Sequence, residues 1–233
     1  FRRPHLKYIV PKQYFDMYNP EMIAPPKQLT YPIDRHPIGW CCSQDHATLN
    51  GTEYYTEGPY KAAFNAKFTQ ELRRGYYASI SFMDAQLGRV VKEVAHNTII
   101  LLHGDHGYEL GEQSNWRKRM VSEISVRTPL IIVAPDIQRP GAKIKPPVEL
   151  ISVYKTLADL AHLPEPAFDV QGYSLAQAVR SGHMVNKDQA AYSQYPRCPP
   201  NQTKLQLLKQ GECDHVNRQN ITFMGYSIRT QDW

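Results

Sequence analysis

Between Lys67 and Val94, apolar side chains return at three- and four-residue steps: Phe68, Leu72, Tyr76, Met83, Leu87, Val90, Val91 and Val94. That spacing gathers them on one stripe of an α-helix, with lysine, arginine and glutamine over much of the remaining surface. A stripe of that length needs another layer to bury it. Thr98–Leu102 and Leu130–Ala134 are short apolar runs that read as buried strands. Val148–His162 repeats the helical pattern with Leu150, Ile151, Tyr154, Leu157, Ala158 and Ala161. Helix, strand, strand and helix in succession predict a layered α/β core.

The flanks read differently. Pro20, Pro25, Pro26, Pro32 and Pro37 rule out long helices before residue 66, leaving an extended segment with one short helix at Lys12–Tyr18. Past Asp169 the pattern fades into Gly, Pro and Asn, with a helix near Ser174–Ser181. Strand-like pieces follow at Ala190–Tyr195 and Phe223–Arg229, suiting the start of a small antiparallel β subdomain. The expected division is a large domain over 1–197 and the small one over 198–233.

No run of about 18 apolar residues is present, so no membrane-spanning helix is expected. Net charge is +5, with nine histidines able to add to it in an acidic compartment, which mildly favours anionic partners. No basic run interleaved with aromatics marks a nucleic-acid track. The chain opens Phe1-Arg2-Arg3-Pro4-His5 without Met or a signal-peptide pattern and ends directly after a strand-like segment. Both ends look cut, and a longer protein is expected. Cys41 and Cys42 are adjacent and cannot easily bridge each other. Cys198 and Cys213 enclose a Pro- and Asn-rich loop, which suits a disulfide in an oxidising compartment. Sequons at Asn50, Asn201 and Asn220 lean the same way, toward a secreted or lysosomal glycoprotein.

Chemistry concentrates in Ile99–Lys118. The first strand runs into Gly104-Asp105-His106-Gly107, and the carboxyl ends of strands are where open α/β sheets bind ligands. A carboxylate and an imidazole there, with glycines allowing close approach, fit a metal or anion site. A polar turn in which Asp105 bonds its own backbone fits the spacing equally well. The 21-residue connection Gly107–Arg127 is polar and long for a compact domain, and Trp116 with Arg117-Lys118-Arg119 reads as an anion-binding loop. His5, stiffened by Pro4, reads on its own as a surface histidine.

Taken together, these motifs resemble the type I sulfatases. The resemblance rests on Gly104-Asp105-His106-Gly107, Leu110-Gly111-Glu112, Trp116, Lys118 and Arg127-Thr128-Pro129-Leu130-Ile131. It begins at Arg2-Arg3-Pro4-His5-Leu6 and Pro11-Lys12-Gln13-Tyr14-Phe15, and continues through Tyr77–Asp84 and Val148–Ser152. Ala191–Arg197 and Met224–Thr230 are most similar to the iduronate-2-sulfatase branch. The resemblance implies an alkaline-phosphatase-like α/β sandwich, with a central mixed sheet flanked by helices and a small C-terminal antiparallel β subdomain.

It also implies a sulfuric ester hydrolase whose nucleophile is a formylglycine made from cysteine, with Ca2+ polarising the sulfate. Asp105 and His106 fall on positions that help hold the metal, and Lys118 on the lysine that touches the sulfate and its bridging oxygen. His5 falls on the histidine that protonates the leaving alcohol. Arg229 falls on a motif arginine with a structural or substrate-supporting role. The implied substrate is a sulfated glycosaminoglycan, the 2-sulfate of iduronate in dermatan or heparan sulfate, with no nucleic-acid or membrane partner. Imidazole is not calcium's natural ligand, and side-chain chemistry alone would also allow zinc or manganese.

The departures are specific. No Cys-x-Pro-Ser-Arg motif surrounds Cys41, Cys42, Cys198 or Cys213. The family's paired metal-binding aspartates are missing too. Both belong upstream of Phe1 in the family, so the chain is expected to need the N-terminal half of the sulfatase domain and to be inactive alone. Gln113 stands where a histidine is common and Tyr108 where iduronate-2-sulfatases often carry Trp, which bears on sugar preference. Lys155 replaces a usual proline, a change that suits a helix. A sulfatase for another sulfated glycan, or a silent glycoprotein that binds such glycans, are the competing readings.

Overall fold

The computed structural model describes residues 1–36, 39–40, 64–164, 168–184, 189–198, 213, 216–221 and 223–233. In chain order these form α1 (Lys12–Asp16), α2 (Ala66–Lys92), β1 (Ile100–His103), β2 (Glu109–Leu110), β3 (Trp116–Arg117), α3 (Glu123–Val126) and β4 (Leu130–Val133). They continue with α4 (Val153–Leu160), α5 (Ala176–Ser181), β5 (Ala191–Arg197) and β6 (Phe223–Arg229). Every long element expected from periodicity is present, but the helix expected over Val148–His162 is shortened to Val153–Leu160, with a 3-10 turn at Leu150–Ser152 before it.

The chain divides into two compact units. One comprises Phe1–Glu93, Gly107–Met120 and Tyr195–Gly225; the other Val94–His106, Val121–Gln194 and Tyr226–Trp233.

In the first unit the backbone of the packing is α2. Asn65 caps it by accepting the Phe68 N–H at 2.9 Å, and Arg89 and Lys92 in its last turn complement the dipole. The residues it buries are Thr69, Leu72, Gly75, Ala78 and Ser79. Val90 and Val91, expected on the buried stripe, are instead exposed. The close approach is made by small residues mid-helix. A Cβ on Gly75 would lie 3.0 Å from the Tyr8 side chain, so the absent side chain lets that ring rest on the helix. Leu72 joins Phe64, Leu110 and Trp116 in a core lined by Tyr8, Phe68, Tyr76, Tyr77 and Tyr108. On the same helix Tyr14 packs edge-on to Phe82, and the Tyr18 hydroxyl is 2.6 Å from Ser81 Oγ.

The 21-residue connection proves to be structured. β2 and β3 form a hairpin in register Glu109↔Arg117 and Leu110↔Trp116, and α3 follows. Trp116 is 1% exposed, so it is a core residue and not a loop contact for anions.

In the second unit β1 and β4 pair antiparallel, Ile100↔Val133 to His103↔Leu130. Ala134, Leu160 and Ala176 form its core with Ile99, Ile132, Ile137 and Val179 packed against them. Thr156, fully buried, donates to the Ser152 carbonyl at 2.7 Å and accepts the Leu175 N–H at 2.9 Å, stitching α4 to the start of α5. Leu130–Ala134 is less buried than its composition predicts: Ile131 is 53% and Val133 44% exposed. Burial along β4 alternates, because side chains of a strand leave on opposite faces. β5 and β6 pair in a two-stranded sheet, and in the first unit the expected Cys198–Cys213 disulfide is formed, with Cα atoms 5.4 Å apart. Cys41 and Cys42 lie outside the described residues.

Arg180 of α5 lies against Asp136 and within 3.4 Å of Asp159. The hydrogen bond from Arg180 holds the Asp136 carboxyl below its usual range. A carboxylate depressed by folding contributes stability above its unfolded pKa and loses it as pH falls through the folded value. Asp136→Asn is therefore expected to lower the melting temperature slightly at neutral pH. The gap to the parent should close as pH drops below about 4; thermal melts from pH 7 to 2 measure it.

Candidate functional site

Asp105 and His106 follow β1 in the second unit. Gly104 continues the β1–β4 ladder by donating to the Pro129 carbonyl at 3.2 Å. A Cβ on it would lie 3.3 Å from Thr128 Cβ and 3.5 Å from Pro129 Cδ. The missing side chain thus lets Gly104 lie close to Thr128 and Pro129. The Asp105 side chain is 84% exposed, and its Oδ2 lies 3.4 Å from His106 Nε2. That distance is longer than a good hydrogen bond. The carboxylate is a hard oxygen donor suited to calcium, but one carboxylate beside one imidazole falls short of the six to eight oxygens calcium takes. Among the described residues no group of three or more His, Cys, Asp or Glu side chains is placed to hold a metal. These two residues can supply part of a calcium shell.

Arg229, in the same unit, has its Nε 3.5 Å from Glu123 Oε2, both side chains being nearly half exposed. Exposed pairs of this kind contribute about 0–1 kcal/mol. Asn220 is exposed at the end of a short turn, Arg218–Asn220, as a glycan acceptor needs to be. Asn50 and Asn201 lie outside the described residues.

His5 and Lys118 belong to the first unit. His5 is exposed, and its Nδ1 lies 2.8 Å from the Leu6 carbonyl. A carbonyl can only accept, so Nδ1 carries the proton and Nε2 is the atom left to take up or deliver one. Arg3 closes the surrounding loop. Its guanidinium donates to the His5 carbonyl at 3.0 Å and to the Ile9 carbonyl at 3.1 and 3.0 Å.

Lys118 sits just past the hairpin, in a stretch of unusual backbone. Gly111, Gln113, Ser114, Arg117 and Arg119 all have positive φ, between 53° and 101°. Non-glycine residues held there cost about 1–3 kcal/mol each and persist where the surroundings over-determine them. The surroundings are visible. Arg73 of α2 donates to Glu112 Oε1 at 2.9 Å and to the Leu110 carbonyl at 3.1 Å, while Glu112 Oε2 accepts the Leu110 N–H at 2.6 Å. Gln113 N–H donates to the Gln28 carbonyl at 2.8 Å, and Arg35 donates to its Oε1 at 3.2 Å. Trp40 Nε1 donates to the Ser114 carbonyl at 3.1 Å. Arg197 donates to the carbonyls of Arg119 and Trp40 at 2.9 and 2.8 Å.

A tyrosine cluster adjoins these. Tyr8 donates to the Tyr108 hydroxyl at 3.3 Å, and Tyr76 stacks on Tyr108 with centroids 5.2 Å apart. Burial, with Tyr108 adding to it, pushes the Tyr8 hydroxyl far above the usual phenol range. It stays protonated at any physiological pH.

Sequence reasoning did not single out Arg73, Trp40 or Arg197 as supports of Lys118. One signal was available for Arg73. It lies four residues from both Thr69 and Tyr77, which puts a charge on the edge of the helix that is buried.

The sulfatase family model matches residues 32–163. The chain belongs to the sulfatase family. A sulfatase of Formosa agariphila is 33% identical over 201 residues, covering 84% of this chain and 36% of that protein. The iduronate 2-sulfatase of Mus musculus is 28% identical over 280 aligned residues, covering all of this chain and 50% of that protein. Among solved structures, the phosphonate monoester hydrolase of Silicibacter pomeroyi superposes with a TM-score of 0.69 at 23% identity, over 98% of this chain and 44% of its own. A protein solved in complex with its substrate D-glucosamine-2-N,6-O-disulfate gives 0.73 at 20% identity, over 99% and 53%. These likenesses place the chain in the α/β fold that the sequence predicts. The chain spans half or less of the length of these curated relatives.

If Glu112 is what fixes the hairpin, Glu112→Ala leaves the Leu110 N–H and the Arg73 guanidinium without that carboxylate. The expected loss is about 1–3 kcal/mol of stability. Faster hydrogen exchange at the Leu110 amide, measured by NMR, should accompany it.

Proposed function

We propose that this chain carries part of the active site of a sulfuric ester hydrolase of the iduronate-2-sulfatase type, acting on the 2-sulfate of iduronate in dermatan or heparan sulfate. The observation that carries the reading is the extent of the likeness. Alignment with the iduronate 2-sulfatases of mouse and human covers the whole chain, through β5 and β6. Six other curated relatives cover 48–84% of it.

In this reading Lys118 contacts the sulfate and its bridging oxygen, offsetting charge that grows as the S–O bond breaks. His5 gives the proton on Nε2 to the departing alkoxide, with Nδ1 held by the Leu6 carbonyl. Asp105, with His106 beside it, would help hold Ca2+, which supplies Lewis-acid polarisation of the sulfate. A formylglycine nucleophile and the paired aspartates would come from the N-terminal half of the domain. Arg229 would support substrate through the small subdomain. The disulfide and the exposed Asn220 support a lysosomal or secreted setting.

A sulfatase for a different sulfated sugar is the second reading. The structural neighbour whose substrate is a sulfated glucosamine favours it, as does the tie between Arg35 and Gln113 at a position where the family commonly has histidine.

The intact gene product should release sulfate from iduronate-2-sulfate disaccharides faster than from N-acetylgalactosamine sulfates. The reverse preference would move the chain to the second reading. Lys118→Ala should lower kcat/KM by about a hundredfold or more, whereas the 233-residue chain alone should release none. Ion chromatography of free sulfate reads all three outcomes.

A further inference from the structure

We propose that Arg197, with Trp40 beneath it, is a positioning residue for Lys118. This rests on the reading of Lys118 as the sulfate-contacting lysine. Arg197 is 5% exposed and Trp40 3%. A buried guanidinium is costly unless its N–H groups are satisfied. Here two of its nitrogens are spent on carbonyls: NH1 on Arg119 and NH2 on Trp40. The Trp40 indole in turn donates to the Ser114 carbonyl. One charged side chain thereby fixes both ends of the segment Ser114–Arg119, directly at Arg119 and through Trp40 at Ser114.

The residues so fixed are ones that would otherwise relax. Ser114 has φ 62° and Arg119 φ 75°, and Arg117 on the other side of Lys118 has φ 76°. L-residues leave that region readily unless held. Lys118 lies between two such residues, so the peptide planes on either side of it set the direction in which its side chain departs. A planar fork can hold two carbonyls at fixed angles; an ammonium on a flexible stem cannot. The requirement is therefore for arginine and not merely for a cation.

Misplacing Lys118 has a distinctive kinetic signature. Its contact with the bridging oxygen matters most when the leaving group is a poor one, such as a sugar alkoxide, and least for a nitrophenolate, whose negative charge is delocalised over the ring and nitro group. A variant that is merely less folded loses the same factor on every substrate.

The test is Arg197→Lys in the complete gene product, assayed on 4-nitrophenyl sulfate and on an iduronate-2-sulfate disaccharide. A loss of about tenfold in kcat on the disaccharide is expected, against about twofold on the aryl ester. Equal losses on both would overturn the proposal. Should Arg197→Lys fail to fold, Trp40→Phe removes only the hydrogen bond to the Ser114 carbonyl and should bias the two substrates in the same direction; an unbiased Trp40→Phe enzyme would then overturn it. Lys118→Ala serves as reference and should show the largest bias. If its losses are equal on the two substrates, the role given to Lys118 fails, and this proposal falls with it.

Discussion

The ion pair between Arg73 and Glu112 is the joint on which the first unit depends. It is more than a charge contact. Arg73 also donates to the Leu110 carbonyl, and the second carboxylate oxygen takes the Leu110 N–H. Both polar groups of one backbone residue in β2 are thus satisfied by two side chains. A two-residue pairing such as β2 with β3 is too short to hold itself together in water. It survives because α2 supplies a cation at one end and an apolar surface, centred on Leu72, for Leu110 and Trp116 at the other. Side chains with 14% and 27% exposure are partly shielded from water, so the pair is stronger than a surface bridge and is not charged with full desolvation.

What α2 supports is backbone that would not otherwise keep its shape. Four non-glycine residues with positive φ lie within seven positions, Gln113 to Arg119. Gln113, Ser114 and Arg119 are tied by hydrogen bonds to Gln28, Trp40 and Arg197, and Arg117 pairs with Glu109 across the hairpin. Backbone strain so concentrated is of the kind that clusters at functional sites. Lys118, the residue proposed to contact the sulfate, lies within it.

The elements were legible in the sequence because they follow from period. The stripe of Phe68, Leu72 and Tyr76 gave α2, and the runs at Ile99 and Leu130 gave the two paired strands. Burial was less legible. Val90, Val91, Ile131 and Val133 are apolar by identity yet exposed, because periodicity states which residues share a face and not whether that face is covered. The glycine at 104 was legible only in part: a missing side chain says that something approaches, not what approaches, and Thr128 and Pro129 do. Trp116 was misread because its neighbours are basic, though its ring pairs with Phe64 inside the core. Two of the supports of Lys118, Trp40 and Arg197, were out of reach. Arg197 lies 78 residues from Arg119 and 157 from Trp40, and no local pattern encodes such a bond.

His5 and Lys118 are held to different standards, and the chemistry proposed for each explains the difference. A lysine that offsets charge on breaking bonds gains from being fixed before the substrate arrives, since reorganisation during the reaction would cost part of the stabilisation. Its backbone is accordingly locked from several directions. A histidine that donates a proton in every turnover must also regain one, and regaining it is quickest from water. His5 is exposed, and the loop around it is closed by the side chain of Arg3 binding to two carbonyls. That closure sets the path of the backbone, while the contact between Nδ1 and the Leu6 carbonyl sets the tautomer and leaves Nε2 to exchange its proton. Rigidity is spent where position decides the rate, and exposure is kept where proton supply does.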